Sequence, residues 1–205
     1  MARIARPEGA AEMRKRLLRA AYAAIAERGF DAVTLQEVAD RAEVSKGLVL
    51  YYFKNKEQLL VMVMDRTDRI IRTRAEAAIR AAKAEGPRAQ MEAYLGALTI
   101  GGPQHRAFYR VFLEFLSLDM RNTGNAEVRK TAMNFLAGCQ LLEQEVIANG
   151  IAQGVFRKEL RPVEAAGVIH ALIDGLSLQW IFHEDEPFDT LCQRLHTAIL
   201  SYLVA

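Results

Sequence analysis

Val33-Thr-Leu-Gln-Glu-Val-Ala-Asp-Arg-Ala-Glu-Val-Ser-Lys-Gly-Leu-Val-Leu-Tyr-Tyr-Phe-Lys-Asn-Lys-Glu-Gln-Leu-Leu60 is the stretch on which the reading of the chain turns. Thr34-Leu-Gln-Glu37 has the form of a capping box, in which hydroxyl and carboxylate each satisfy a backbone N–H at a helix start. Leu35, Val38, Ala39 and Ala42 give that helix one apolar face, so it is short. After a break at Glu43-Val44, Ser45 caps a helix running to about Phe53, and Asn55 with Gln58 caps the next. Val49 and Phe53 lie one turn apart and anchor inward, which turns Lys46, Gly47, Leu48, Leu50 and Tyr51 outward. An exposed apolar and aromatic face suits a DNA major groove, where thymine methyls meet it. Gly47 weakens the helix, and close approach of its backbone to DNA is a reason to keep it. The alternative makes Leu50 and Tyr51 core residues of a three-helix subdomain and Gly47 a tight packing point.

Upstream, Pro7 takes a first helical position, and Met13, Leu17, Ala20, Ala21, Ala24 and Ile25 recur at helical spacing as far as Gly29. Downstream, the spacing predicts a long helix from Lys56 to about Glu85, ended by Gly86-Pro87. Met91 to Leu98 mark a helix that stops at Gly101-Gly-Pro103, and Phe108, Val111, Phe112 and Phe115 mark one that stops before Gly124. Asn125 caps a helix carrying Val128, Phe135, Cys139, Leu142 and Val146 to Gly150, and Pro162 starts another. No segment alternates with period two for long enough to make a sheet, so the chain reads as all-α.

The last two helices, predicted at about 162–183 and 187–204, differ from the rest. Between Ala165 and Phe182 the one formally charged residue is Asp174, and a helix apolar on nearly every side needs cover all round. A self-complementary dimer interface through Ile169, Leu172, Leu176, Leu191, Leu195, Ile199 and Tyr202 would supply it. The alternative is cover by the rest of the same subunit.

Composition supports a folded chain, with 51% hydrophobic residues, 25% charged and five prolines among 205 residues. The longest run without Asp, Glu, Lys or Arg is the thirteen residues from Ala93 to His105, against the roughly 20 that a membrane helix needs. No membrane span or secretory signal is therefore expected, and the cytoplasm is the expected compartment. Cys139 and Cys192 stand alone, with neither CxxC spacing nor a histidine cluster, so neither disulfide nor metal nor cofactor is expected. Residues 1–56 carry eleven Lys or Arg against seven acids, and residues 57–205 carry sixteen against eighteen. The excess of +4 in the first segment suits a nucleic-acid-binding head.

The segment from Val33 to Leu60 closely resembles the helix-turn-helix of TetR-family transcriptional regulators. The motif covers about a seventh of the chain, and the rest agrees in helix order and length. The resemblance implies about nine helices, with a DNA-binding domain at 1–55 and an effector-binding and dimerisation domain at 56–205. It also implies a dimer through the last two helices, a pseudo-palindromic operator, repression, and loss of DNA binding when an effector arrives. By resemblance Thr34, Lys46, Tyr52 and Lys56 touch phosphates, Gln36 reaches the groove, and Gly47, Leu48, Leu50 and Tyr51 face the bases. The family often has Tyr at the position of Leu50 and His at that of Tyr52, so the operator sequence does not carry over. Arg3 and Arg6 precede helix one and are candidates for a minor-groove arm.

For the effector, Tyr94, Leu98, Phe108, Phe112, Phe115, Phe135 and Trp180, with Met91 and Met133, are candidates to line a pocket. Ordinary packing is the competing reading for each. Gln140, His170, Asp174, Gln179 and His183 are polar groups within apolar helices, suited to orient a ligand because a buried polar group needs a partner. The expected effector is apolar or aromatic. An enzyme is disfavoured: Gly175-Leu-Ser-Leu-Gln lacks the second glycine of a nucleophile elbow, no phosphate loop occurs, and His183-Glu-Asp-Glu reads as a solvated loop. A helical effector-binding or interaction protein without operator-specific DNA binding is the other alternative.

Overall fold

A computed structural model of the chain describes residues 7–99, 101–121, 125–183 and 185–204. Arg3, Arg6 and the expected stop at Gly124 lie outside them. Among the described residues there are nine α-helices and no strand: α1 Pro7–Arg28, α2 Leu35–Arg41, α3 Lys46–Tyr52, α4 Lys56–Ala81, α5 Pro87–Leu98, α6 Gly102–Arg121, α7 Ala126–Ala152, α8 Pro162–Phe182 and α9 Phe188–Leu203. They divide into two compact units, Met1–Thr67 with Arg110–Ala132, and Asp68–Tyr109 with Met133–Ala205.

In the first unit the local signals act much as their chemistry dictates. Thr34 Oγ1 accepts the Glu37 N–H at 3.1 Å, Ser45 Oγ accepts that of Leu48 at 3.2 Å, and Asn55 Oδ1 accepts that of Gln58 at 2.8 Å. The expected capping box at α2 is only half made. Glu37 turns its carboxylate to Arg28 at 3.1 Å and Arg41 at 3.3 Å instead of back to Thr34, because two guanidiniums outbid one neutral N–H. Glu43 makes the turn between α2 and α3 at φ +53°, a left-handed conformation that costs a residue with a Cβ about 1 kcal/mol. Leu17, Leu18, Ala21, Ile25, Phe30, Val38, Val49, Phe53, Leu59 and Leu60 are buried. From α6, Arg121 pairs with Asp31 at 3.0 Å.

In the second unit, Met91, Tyr94 and Leu95 of α5, Ile147 of α7, Ile169 and Ile173 of α8, and Leu191, Leu195, Ile199 and Leu203 of α9 form one buried cluster. Two helix ends differ from expectation. The α4 helix closes at Ala81 and tightens into a 3₁₀ turn at Lys83–Glu85 before Gly86, which takes φ +95°. Helix α7 continues through Gly150 to Ala152, and Gly150 is there for packing: the Phe156 ring occupies the space a Cβ would need.

The interface residues expected from sequence also need correction. Ile169, Leu191, Leu195 and Ile199 are fully buried within their own subunit and have no surface left to offer a partner, while Leu172, Leu176 and Tyr202 are half-buried. The outward side of α8 instead carries Val168, Ala171, Gly175, Leu178 and Phe182, a stripe at three-four-three-four spacing ending in a Phe182 that is 75% exposed. By length and composition α8 is apolar enough to cross a membrane, contrary to the expectation from charge-free runs. Here its inner face, Ala165, Ala166, Ile169, His170, Ile173, Ser177 and Trp180, is buried in the protein core.

Candidate nucleic-acid interface and effector cavity

Each candidate DNA contact sits on α2, on α3 or at the start of α4. Val49 and Phe53 are fully buried, so α3 can turn only one face outward. That face carries Lys46 and Gly47, both exposed, Leu50 at 44% and Tyr51 at 82% exposure, while Leu48 and Tyr52 are half-buried. The core alternative for Leu50 and Tyr51 is thereby removed. A Cβ on Gly47 would meet nothing nearer than Ser45 Oγ at 3.9 Å, so packing within the chain does not require glycine there. On α2, Thr34 and Gln36 are exposed, the Gln36 amide donating to Asp40 at 2.8 Å. Lys56 is half-buried: its ammonium donates to the Asp31 carbonyl at 2.9 Å and lies 4.5 Å over the Phe30 ring. It holds the Phe30–Asp31 turn as well as offering donors outward.

The second unit contains a cavity of about 40 Å³ whose walls are Ile71, Leu98, His105, Phe108, Tyr109, Phe135, Cys139, His170, Ile173 and Asp174. The Phe108 and Phe135 rings stack at 6.1 Å, and Tyr109 stands edge-on to Phe108 at 5.2 Å. One end is polar. Glu143 is fully buried, with Tyr94 Oη donating to its Oε1 at 2.7 Å and His170 Nδ1 3.3 Å from the same oxygen. Across the imidazole, His170 Nε2 lies 3.8 Å from Asp174 Oδ2, and Tyr109 Oη donates to Asp174 Oδ1 at 3.0 Å. The line therefore runs Tyr94, Glu143, His170, Asp174, Tyr109. Among the described residues, Glu143 Oε2, His170 Nε2 and His105 Nε2 are buried without a hydrogen-bond partner.

The titrations follow from these neighbours. Burial works against a charged His170, but the hydrogen bond and charge of Glu143, with the charge of Asp174, outweigh it and raise its pKa above the ordinary 6.5. His105 has no such partner, and burial lowers it to about 4, so it is neutral. Burial, then Glu143, pushes Tyr94 well above the usual phenol value, and burial, then Asp174, does the same to Tyr109. Two acidic side chains thus face one imidazole.

Of the residues expected to line a pocket, Leu98, Phe108 and Phe135 do so, and Tyr94 stands behind the wall through Glu143. Phe112 and Phe115 do not: they are buried on the part of α6 that belongs to the first unit. Trp180 packs edge-on against His105 and Phe188 and donates to the Glu186 carbonyl at 2.8 Å. Gln179 and His183 face a separate surface hollow beside Phe182 and Arg194. His170 and Asp174 were legible as polar groups in an apolar helix. Glu143 was missed, although an acid one turn from Cys139 and one turn before Ile147 on an apolar stripe is the same signal.

A helix-turn-helix with an outward aromatic face, in a chain that also folds around an aromatic cavity beside a buried Glu143 and a half-buried Asp174, defines a ligand-responsive DNA-binding regulator. Residues 17–63 match the family model of bacterial regulatory proteins, tetR family, and residues 87–204 match that of the BetI-type transcriptional repressor, C-terminal. The chain belongs to the tetR family; it is a transcriptional regulator and not an enzyme. It is 31% identical over 185 residues to the HTH-type transcriptional regulator BetI of Burkholderia thailandensis, covering 86% of this chain and 85% of that protein. It is 25% identical over 190 residues to a fatty acid metabolism regulator protein of Bacillus subtilis, covering 92% of each. A transcriptional regulator from Saccharomonospora viridis, solved in complex with choline, superposes with a TM-score of 0.83 at 25% identity, covering 95% of this chain and 99% of that one.

Proposed function

We propose that this regulator binds a small organic cation of the quaternary ammonium class in the cavity of the second unit and changes its hold on operator DNA in response. The observation that carries the reading is Glu143, fully buried and with one oxygen unpartnered among the described residues, beside an aromatic wall. A buried carboxylate needs a cation, and aromatic faces attract a methylated one. The choline bound to the Saccharomonospora viridis relative supports the same class. The apolar, aromatic effector expected from sequence describes the walls, and the carboxylates add the charge. A fatty acid fits poorly, since its carboxylate would face the like charge of Glu143 and Asp174. Choline should raise the melting temperature, and go on raising it with the logarithm of its concentration once the site is filled, while its uncharged isostere dimethylbutanol should not. Equal stabilisation by the isostere, or preferential binding of palmitate, would reject the cation.

The DNA-binding domain, residues 1–55, presents α3 to a pseudo-palindromic operator, and residues 56–205 bind effector and dimerise, the work taking place in the cytoplasm. The outward face of α3 supports this. Gly47→Ala is the sharpest test, because the methyl group fits the free protein and should stabilise it by up to about 1 kcal/mol through helix propensity. Operator affinity should nonetheless fall about tenfold or more, about 1.4 kcal/mol. Tyr51→Ala should lower discrimination between operator and random DNA, whereas Lys46→Ala should weaken both alike and make the salt dependence shallower by about one unit. Unchanged operator binding by both Gly47→Ala and Tyr51→Ala, read by fluorescence anisotropy, would take α3 out of the groove.

A further inference from the structure

We propose that His170 is a displaceable internal counter-ion, so that an organic cation entering the cavity takes over Glu143 and Asp174 from the imidazolium and expels its proton. The inference rests on the cation reading above and adds a regulation to it, an effector response set by pH. Glu143 is fully buried, and among the described residues its hydrogen-bonding neighbours are the Tyr94 hydroxyl at 2.7 Å and His170 Nδ1 at 3.3 Å. The phenol is neutral, so the imidazole is the base there that can answer the carboxylate with charge.

Its other nitrogen faces Asp174 Oδ2 at 3.8 Å, too far for a hydrogen bond, and borders the same cavity. One imidazolium thus lies between two carboxylates, making a good contact with one and a loose contact with the other. A ligand cation needs those same oxygens. Two like charges within a few ångströms in a water-poor site repel strongly, so cation and proton compete.

The other groups around His170 do not substitute for it. On α7, burial pushes the Cys139 thiol up to about 12, which keeps it protonated. On α6, His105 is neutral and Tyr109 donates to Asp174; on α5, Tyr94 stays a phenol. On α4, Arg72 pairs with Asp68 at 2.7 Å. His170 is the group in this set whose charge changes in the neutral range.

The sign follows from linkage. Below its pKa His170 carries the proton, and binding must release it, so affinity falls about tenfold for each pH unit of acidification. Above that pKa the proton is already gone and affinity is flat. Full-length protein titrated calorimetrically with choline chloride from pH 6 to 8.5, in buffers of contrasting ionisation enthalpy, should show release approaching one proton at the acid end and none at the alkaline end. His170→Gln keeps a donor for Glu143 without a titrating proton, and should bind choline with flat pH dependence and no buffer-dependent heat. By histidine NMR, the wild-type His170 ring should titrate above the ordinary value when free and become neutral at saturating choline at pH 7. If His170→Gln fails to fold, the wild-type calorimetry and NMR decide alone. Choline binding with no pH dependence, a His170 that stays charged in the complex, or an unaltered slope in His170→Gln would each overturn the exchange while leaving the cation reading intact. No choline binding at any pH would overturn both.

Discussion

Glutamate in place of Leu195 unfolds the C-terminal unit and does not simply split a dimer. Leu195 is 1% exposed in a cluster with Leu191, Ile199 and Leu203, where a carboxylate has neither a cation nor water. An unpaired buried charge costs several kcal/mol, a large share of the 5–15 kcal/mol that holds a typical domain together. Circular dichroism should show lost helix and a broadened or absent thermal transition. Phe182→Glu is the counterpart on the outward stripe of α8, where the side chain is 75% exposed. It should keep the melting temperature within a few degrees and give monomers by sedimentation at micromolar concentration. A folded monomer from Leu195→Glu, together with an intact dimer from Phe182→Glu, would return the interface to α9.

That pair of variants also marks what periodicity can and cannot tell. Interactions that close within one turn were legible: the caps at Thr34, Ser45, Asn55 and Asn125, and the paired anchors Val49 and Phe53, depend on neighbours three or four residues away. A stripe shows that a face is apolar without showing what covers it, so Leu191, Leu195 and Ile199 read as interface and proved to be core. Helix α6 makes the same point within one element. Phe108, Phe112 and Phe115 form one stripe, yet the first lines the cavity and the other two belong to the first unit. Lys56 reads as an exposed cation at a helix start, and its partner, the Asp31 carbonyl, lies 25 residues away. Of the cavity's charge, His170 and Asp174 were visible because α8 is otherwise so apolar, while Glu143 was hidden among the other acids of α7.

Glu143→Gln should lower choline affinity by at least about a hundredfold, or about 2.7 kcal/mol at 25 °C. The amide oxygen can still accept from the Tyr94 hydroxyl, now at 2.7 Å, so the change removes the charge and little of the shape. Losing one partner of a buried ionic contact typically costs 2–5 kcal/mol, which brackets that figure. Asp174→Asn should cost less, about tenfold, since Asp174 is half-buried and water already screens part of its charge. Calorimetry at a pH where wild-type choline affinity has become flat keeps His170 out of the comparison. Affinity within threefold of wild type for Glu143→Gln would mean that the carboxylate is not the counter-charge and that the aromatic wall alone holds the ligand.

The wall of the cavity also holds a sulfur atom. Cys139 lines it, and burial, followed by the nearby charge of Glu143, pushes its thiol up to about 12. At neutral pH roughly one such thiol in 10⁵ is ionised, and the thiolate is the form that reacts with disulfide reagents. Alkylation of Cys139 therefore waits on moments when the helices part and water enters, which makes its labelling rate a clock for breathing of the pocket. Cys192 is half-buried and should be modified first, serving as an internal standard in the same sample. Saturating choline should slow the Cys139 clock at least tenfold while leaving Cys192 unchanged, so mass spectrometry of an unmutated protein can time how often an effector has a door to enter by.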